Sequence, residues 1–398
     1  MKQLISIFLL VLGFHLSYSQ ETPYLVVLSL DGFRWDYPEK ASTPTLDSLA
    51  RSGVKAVSLR PSFPTLTFPN HYSMATGFYP DHHGIVHNSF YDPRLNRHYK
   101  IGDRSAVEDS LFYQREPIWV IAEKQGVITA SYFWVGTEAP VGGLRPTYWK
   151  RYDEKVSLPD RIDTVIAWLS LPEPLRPHLI MFYYHEPDGL GHKHGPESQQ
   201  VRTCVAELDS LTGILCRKLN ALPVADQINL VITSDHGMQG NTPEKTVKVY
   251  KYIKEEWFSE IQGYNPVVCF QFREEYEEKA LTSLKRIPNT QSWITSEIPG
   301  NLHYGSNPRT LDAILLADSG YALMMKKGGW VGKGAHGYDP ENRNMHAIFY
   351  AIGPAFKVNY RQPEFENVDL VPLFGEILGL ELPPVDGKIE RVKGMIYE

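Results

Sequence analysis

The chain has 398 residues, with 40 Lys plus Arg against 46 Asp plus Glu for a formal net charge of −6, and is 42% hydrophobic and 22% charged. That make-up belongs to a folded globular protein and excludes a disordered chain, a collagen-like repeat and a coiled coil. The acidic balance also argues against a nucleic-acid-duplex partner, because binding a duplex rests on neutralising phosphates with Lys and Arg.

In chain order, the first segment is an export signal. Lys2 supplies a positive start, Leu4–Phe14 an apolar run, and Ser17-Tyr18-Ser19 small residues before a cut at Gln20. The run is too short to span a bilayer, so residues 1–19 are read as a cleaved signal peptide. No later run approaches the ~18 apolar residues of a membrane span. The mature chain is expected to be secreted or periplasmic, without a span.

Five short apolar runs follow: Leu25–Leu30, Val127–Trp134, Leu179–Tyr184, Ile228–Thr233 and Ala347–Ile352. Each has the length of a buried strand, and the lack of alternation fits a sheet covered on both faces. Thr43-Pro44 reads as an N-cap with Pro at the first helical position. Leu46, Leu49 and Ala50 form that helix's apolar stripe, and Gly53 is its stop. A longer helix is expected over about Pro196–Leu222, with Val201, Val205, Leu208, Leu215 and Leu219 facing inward. Strands alternating with helices predict an α/β fold with a mainly parallel central sheet. The charged stretch Glu244–Glu278 reads as an insertion or sub-domain, and Glu274–Lys279 as a solvated face. Cys204 and Cys216 lie ~18 Å apart on the long helix and cannot bridge each other. A bridge from either to Cys269 stays open.

In open α/β sheets, ligands bind beyond the carboxyl ends of the strands. Three of the runs exit into acids: Asp31, His185–Asp188 and Asp235-His236. Asp188 and His192 flank two glycines, and His336 stands in Gly334-Ala-His-Gly337. Carboxylate and imidazole together suit Zn²⁺ or a related first-row ion. Asp31, Asp188, His192, Asp235, His236 and His336 are enough for two ions with open positions for substrate and nucleophile. By spacing alone, the same groups serve equally as helix caps and carbonyl-bonded histidines. Thr67, in Thr65-Leu-Thr-Phe-Pro-Asn-His71, is placed at a helix N-terminus, where N–H groups and the dipole favour a phosphate. Capping that helix is its alternative role.

Six motifs occur in order over about residues 24–395: Leu30-Asp-Gly-Phe33, Thr67-Phe-Pro-Asn-His71, Gly77–Asn88, Glu186-Pro-Asp-Gly-Leu-Gly-His192, Ser234-Asp-His-Gly237 and Ala335-His-Gly-Tyr-Asp339. Together they resemble the nucleotide pyrophosphatase/phosphodiesterase family of the alkaline phosphatase superfamily. The resemblance implies an alkaline-phosphatase-like α/β catalytic domain over residues 20–398, its sheet flanked by helices, with a smaller inserted sub-domain at roughly 240–330. It also implies two Zn²⁺, one held by Asp188, His192 and His336, the other by Asp31, Asp235 and His236 with the Thr67 oxygen. Thr67 would attack phosphorus and carry a phospho-threonyl intermediate. Asn88 and the Phe68 N–H would stabilise a non-bridging phosphate oxygen. Phe68 and Tyr152 would stack a nucleotide base and Trp134 would wall the pocket, although Val135 replaces the proline of the family's Trp-Pro-Gly. The stretch Val135–Val156 is complete, whereas lysophospholipid-cleaving relatives carry a deletion there.

The implied activity is hydrolysis of small nucleotide phosphodiesters or phosphoanhydrides to nucleoside 5′-monophosphates. The charge of two Zn²⁺ is balanced by three carboxylates and the Thr67 alkoxide. A nearly neutral site suits a diester monoanion better than a monoester dianion, and the motifs contain no extra cation. Two relatives of this chemistry are alternatives. One is a phosphodiesterase for choline-type head groups, which needs an aromatic–acidic cage; the other is a Thr-dependent phosphomonoesterase. A non-catalytic binding protein on a decayed scaffold is opposed by the intact ligand set. His71, His82, His83, His87, His194, Asp339 and His346 are read as packing or supporting residues rather than ligands.

Overall fold

The computed structural model of the protein describes residues 23–329 and 331–397. The leader expected over residues 1–19 lies outside the described residues. The central sheet contains β1 (Tyr24–Leu30), β2 (Val54–Ala56), β3 (Thr129–Tyr132), β4 (Tyr148–Lys150), β5 (Leu179–Tyr184), β6 (Ile228–Thr233), β7 (Phe349–Ile352) and β8 (Tyr360–Gln362). Their order across the sheet is β8-β2-β7-β6-β1-β5-β3-β4. All neighbours run parallel except β7, which is antiparallel to β6 and β2.

β1 is buried along its whole length because its alternate side chains enter two cores. Tyr24, Val26, Leu28 and Leu30 face a layer made by α1 (Pro44–Ser52), a helix at Leu158–Leu169, and the long helix Gln199–Asn220. Leu25 and Val27 face the opposite layer, where α2 (Thr67–Thr76) contributes Met74 and Ala75 and the helix Leu370–Leu378 contributes most of its side chains. Two covered faces explain the unbroken apolar runs of the sequence.

Two of the five expected strands have the bounds read from the sequence, β5 and β6. Val127–Trp134 shortens to β3, whose carboxyl end is set where Phe133 turns to φ +71°. Ala347 precedes β7 and instead bridges Arg34 and Leu59. The long helix starts at Gln199, where the Ser198 hydroxyl accepts the Val201 N–H at 3.3 Å. Thr43 occupies the N-cap position of α1, but its hydroxyl donates to the Pro38 carbonyl at 3.2 Å. The free N–H groups of Thr45 and Leu46 are taken instead by the Asp209 carboxylate of the long helix, at 3.0 and 2.8 Å. Gly53 ends α1 by close approach, since a Cβ there would collide with the Ala351 carbonyl oxygen of β7.

Between β6 and β7 the chain builds a second, antiparallel sheet in the order Phe258–Tyr264, Val267–Phe272, Ala313–Ala317, Thr290–Ile294. Val268, Phe270, Ala313 and Leu315 on one face pack against Ala280 and Leu284 of the helix Glu277–Leu284. Val267, Cys269, Ile314 and Leu316 on the other face pack against Phe63, Leu66, Tyr72 and Val86. The small sheet is therefore rooted on α2 and its approach. Cys204, Cys216 and Cys269 are all free thiols, so the bridge left open by the sequence is not formed.

Candidate active site

β1, β5 and β6 are adjacent and parallel, so their carboxyl ends open on one side of the sheet. Asp31 follows β1, Asp188 opens the helix Asp188–His194 after β5, and Asp235-His236 follows β6. His336 is delivered by Gly334–Ala335, which pairs with Gln239–Gly240. Thr67 is the first residue of α2; the N-cap is Leu66, which offers the helix no side-chain bond. Thr67 does not cap: its Oγ1 lies 3.2 Å from His236 Nε2.

Two triads form. The ligand atoms of Asp188, His192 and His336 lie within 4.8 Å of one another, as do those of Asp31, Asp235 and His236. Each histidine places Nδ1 2.9 Å from a carbonyl: His192 on Gly334, His336 on Thr65, His236 on Gly237. A carbonyl only accepts, so Nδ1 carries a proton, and in the neutral ring that a metal ligand needs Nε2 is the nitrogen left to point into the site. His192 Nε2 and His336 Nε2 face each other at 3.1 Å, and with both rings neutral and protonated at Nδ1 they would present two lone pairs with nothing to share. Asp31 Oδ1, Asp188 Oδ1 and Asp235 Oδ2 are buried without a hydrogen-bond partner. Buried acceptors left bare are costly, and carboxylate and imidazole donors in threes fit two divalent cations of the zinc type.

The electrostatics carry the same conflict. Burial, with Asp235 and Asp188 beside it, pushes the Asp31 carboxyl well above the usual carboxylate range. Burial opposes ionisation of Asp235 too, but His236 and His71 hold it well below that range. Burial and the neighbouring His236 and His192 keep His336 neutral. Around the triads, Tyr183 donates to Asp31 Oδ2 at 2.6 Å. His71 lies 2.9 Å from Ser29 Oγ, 3.0 Å from the Thr67 carbonyl and 3.3 Å from Asp235 Oδ2, bracing nucleophile and ligand together. His83 and His87 are fully buried away from the triads, and burial pushes both down to about 3. His82 pairs with Asp386, and His346 bonds Ser58 and the Pro340 carbonyl. Asp339 accepts the Glu341 N–H in a turn.

Beside Thr67, the Phe68 N–H donates to Asn88 Oδ1 at 2.9 Å, so the two groups bond to each other in this state. A cavity of about 410 Å³ opens next to them, lined by Phe68, Trp134, Tyr152 and Tyr183, with Asp31, Thr67 and Asp188 on its wall. Tyr152 is 39% exposed, whereas Trp134 is buried and donates its indole N–H to the His71 carbonyl at 2.9 Å. Trp134 is thus cavity wall and core at once. Glu138 accepts the Tyr152 N–H at 3.0 Å and forms an ion pair with Arg104, which also pairs with Glu108. Arg104 is a cation in the cavity wall that the motifs did not contain. Tyr183 could have been found from its place at the end of β5, but Arg104 comes from a segment with no motif, and only the fold brings it here.

A sequence profile of the family described as type I phosphodiesterase / nucleotide pyrophosphatase matches residues 25–339. Human ectonucleotide pyrophosphatase/phosphodiesterase family member 5 is 32% identical over 378 residues, covering 94% of this chain and 78% of that protein. Bovine family member 3 is also 32% identical over 378 residues, but the chain spans only 43% of its length. The solved structure of murine ectonucleotide pyrophosphatase/phosphodiesterase 5 superposes with a TM-score of 0.90 at 32% identity, covering 94% of this chain and 100% of that one. An inactive threonine-to-alanine form of the murine protein in complex with AMP gives 0.91 at 31% identity, over 95% and 100% of the two chains.

Proposed function

The chain belongs to the type I phosphodiesterase / nucleotide pyrophosphatase family, with its alkaline-phosphatase-like α/β fold, and on that premise we propose that it hydrolyses small nucleotide phosphodiesters or phosphoanhydrides outside the cytoplasm. The product is a nucleoside 5′-monophosphate, released through a phospho-threonyl intermediate on Thr67. One observation carries the reading: Thr67 Oγ1 sits against His236 at the edge of two triads of carboxylate and imidazole donors, one buried and one partly buried, beside an aromatic cavity.

Asp188, His192 and His336 would hold one Zn²⁺, and Asp31, Asp235 and His236 with the Thr67 oxygen the other. Two such ions supply the positive charge that makes a hydroxyl acidic and stabilises the attacking and leaving oxygens of an in-line displacement. Thr67 stands at the start of α2, where the helix dipole favours the phosphate it attacks. Its Oγ1 bonds phosphorus as the leaving oxygen departs, and water then displaces the threonine. Asn88 Nδ2 carries two protons, one of them committed to a protein hydroxyl, so the other is the donor available to a non-bridging oxygen. Phe68 and Tyr152 stack the base, an interaction worth about 1–3 kcal/mol. Arg104 is compensated by Glu138 and Glu108, so the cavity gains no net charge for a monoester dianion.

A choline-type head group is the second reading, because Tyr152, Tyr183 and Glu154 share one cavity and make an aromatic–acidic wall. The test is the rate of the zinc-loaded protein on a nucleoside phosphodiester, a phosphocholine ester and a phosphomonoester. The nucleoside diester should be fastest, and a faster choline ester or monoester overturns the assignment. For the location, no helix among the described residues is long and apolar enough to cross a membrane. N-terminal sequencing of the exported protein should read from Gln20.

A further inference from the structure

The small antiparallel sheet meets the site at the hairpin between Phe258–Tyr264 and Val267–Phe272. Its tip touches His87 on one side and Gly337 on the other, with the Tyr264 side chain partly exposed. Gly263, at φ +85°, lies so close to His87 that a Cβ would meet the imidazole Nε2 at 3.0 Å and the Val267 carbonyl at 2.8 Å. Pro266 abuts Gly337, next to His336, where a Cβ would meet its Cδ at 2.9 Å. Asn265 anchors the tip by accepting the Leu323 N–H at 2.6 Å. The Tyr264 ring then stands edge-on to His87 at 5.0 Å, and its hydroxyl lies 3.0 Å from Asn88 Nδ2.

The direction of the last bond follows from chemistry. The Phe68 N–H can only donate, so the atom facing it at 2.9 Å must be the oxygen of the Asn88 carboxamide. The nitrogen must then face Tyr264, whose oxygen accepts. A carboxamide fixed at both ends cannot rotate, and its remaining N–H has one direction left. We infer that Tyr264 is a positioning residue that locks the Asn88 carboxamide, so that the inserted sheet completes the catalytic constellation. Preorganisation of this kind is what gives a fixed donor its value toward developing charge. The inference rests on the role given to Asn88 above.

Tyr264→Phe removes one oxygen and leaves the ring on His87. On a p-nitrophenyl ester of a nucleoside 5′-monophosphate, the zinc-loaded variant should lose about tenfold in kcat, with KM and thermal midpoint unchanged. Asn88→Ala should lose about 10²–10³-fold. Because the tyrosine acts through the asparagine, Tyr264→Phe added to Asn88→Ala should lower kcat no further. A Tyr264→Phe enzyme within twofold of the parent overturns the inference, as does a tenfold loss that persists in the Asn88→Ala background. Those outcomes leave Asn88 standing if its own loss is seen; an Asn88→Ala enzyme at full rate removes the active-site reading and this inference together.

Discussion

Thr67 is placed by backbone at the start of α2, with Leu66 in the cap position, and its hydroxyl makes no capping bond. Its hydroxyl is therefore free to face His236, and losing it should leave the fold intact. Thr67→Ala is expected to keep its thermal midpoint and metal content while turnover falls by orders of magnitude; near-parental kcat would remove the nucleophile. The aromatic wall makes a different demand. Phe68 is half-buried against Tyr99 at 6.3 Å, and Tyr152 leans on Phe133 at 5.1 Å, each leaving ring area toward the cavity. Phe68→Ala or Tyr152→Ala should cost a nucleoside diester about 1–3 kcal/mol, roughly 5- to 150-fold in kcat/KM. The rate on bis-p-nitrophenyl phosphate, which has no base to stack, should change far less. Equal losses on both substrates would reduce these rings to packing.

At the level of elements, what the sequence made legible followed from what each segment does. β5 and β6 are buried on both faces, and their apolar runs set their ends directly. β2, β4 and β8 have three residues each, too few to show any period, and they were found only in the folded sheet. The direction of β7 is not a local property either, since an antiparallel strand buried in the same sheet carries the same residues. Asp31, Asp188, His192, Asp235, His236 and His336 were legible because they stand in short motifs at strand exits. Tyr264 and Arg104 were not, because long-range packing alone places them. The cap of α1 shows the same split. Its position could be read at Thr43-Pro44, but the group that satisfies its amides is Asp209, far away in sequence. Asp209→Ala should therefore destabilise the protein by about 1–2 kcal/mol in urea unfolding, as loss of a helix cap does. Thr43→Ala should cost less, and a Thr43→Ala penalty as large as that of Asp209→Ala would return the cap to the local residue.

For the molecule as a whole, the net charge of −6 gains its meaning from where the acids lie. Three carboxylates and three imidazole nitrogens converge beyond the carboxyl ends of β1, β5 and β6, with the pKa of Asp31 held up by burial and neighbouring carboxylates and that of Asp235 held down by His236 and His71. That arrangement opposes folding unless cations occupy it, and the strands that carry it are the centre of the sheet. The small sheet is tied to the same centre through Leu66 and Tyr72 and through the hydroxyl on Asn88. Metal loss should consequently be felt by the entire chain rather than by one loop. A ligand present at about a thousandfold over its dissociation constant stabilises the native state by roughly 4 kcal/mol. Chelation should lower the thermal midpoint by several degrees in a single transition, and added Zn²⁺ should restore it. Thr67→Ala should keep that shift, since both triads survive, whereas Asp188→Ala and Asp235→Ala should each lose much of it. A midpoint indifferent to chelator would mean that the two triads do not hold metal, whatever the activity of the preparation.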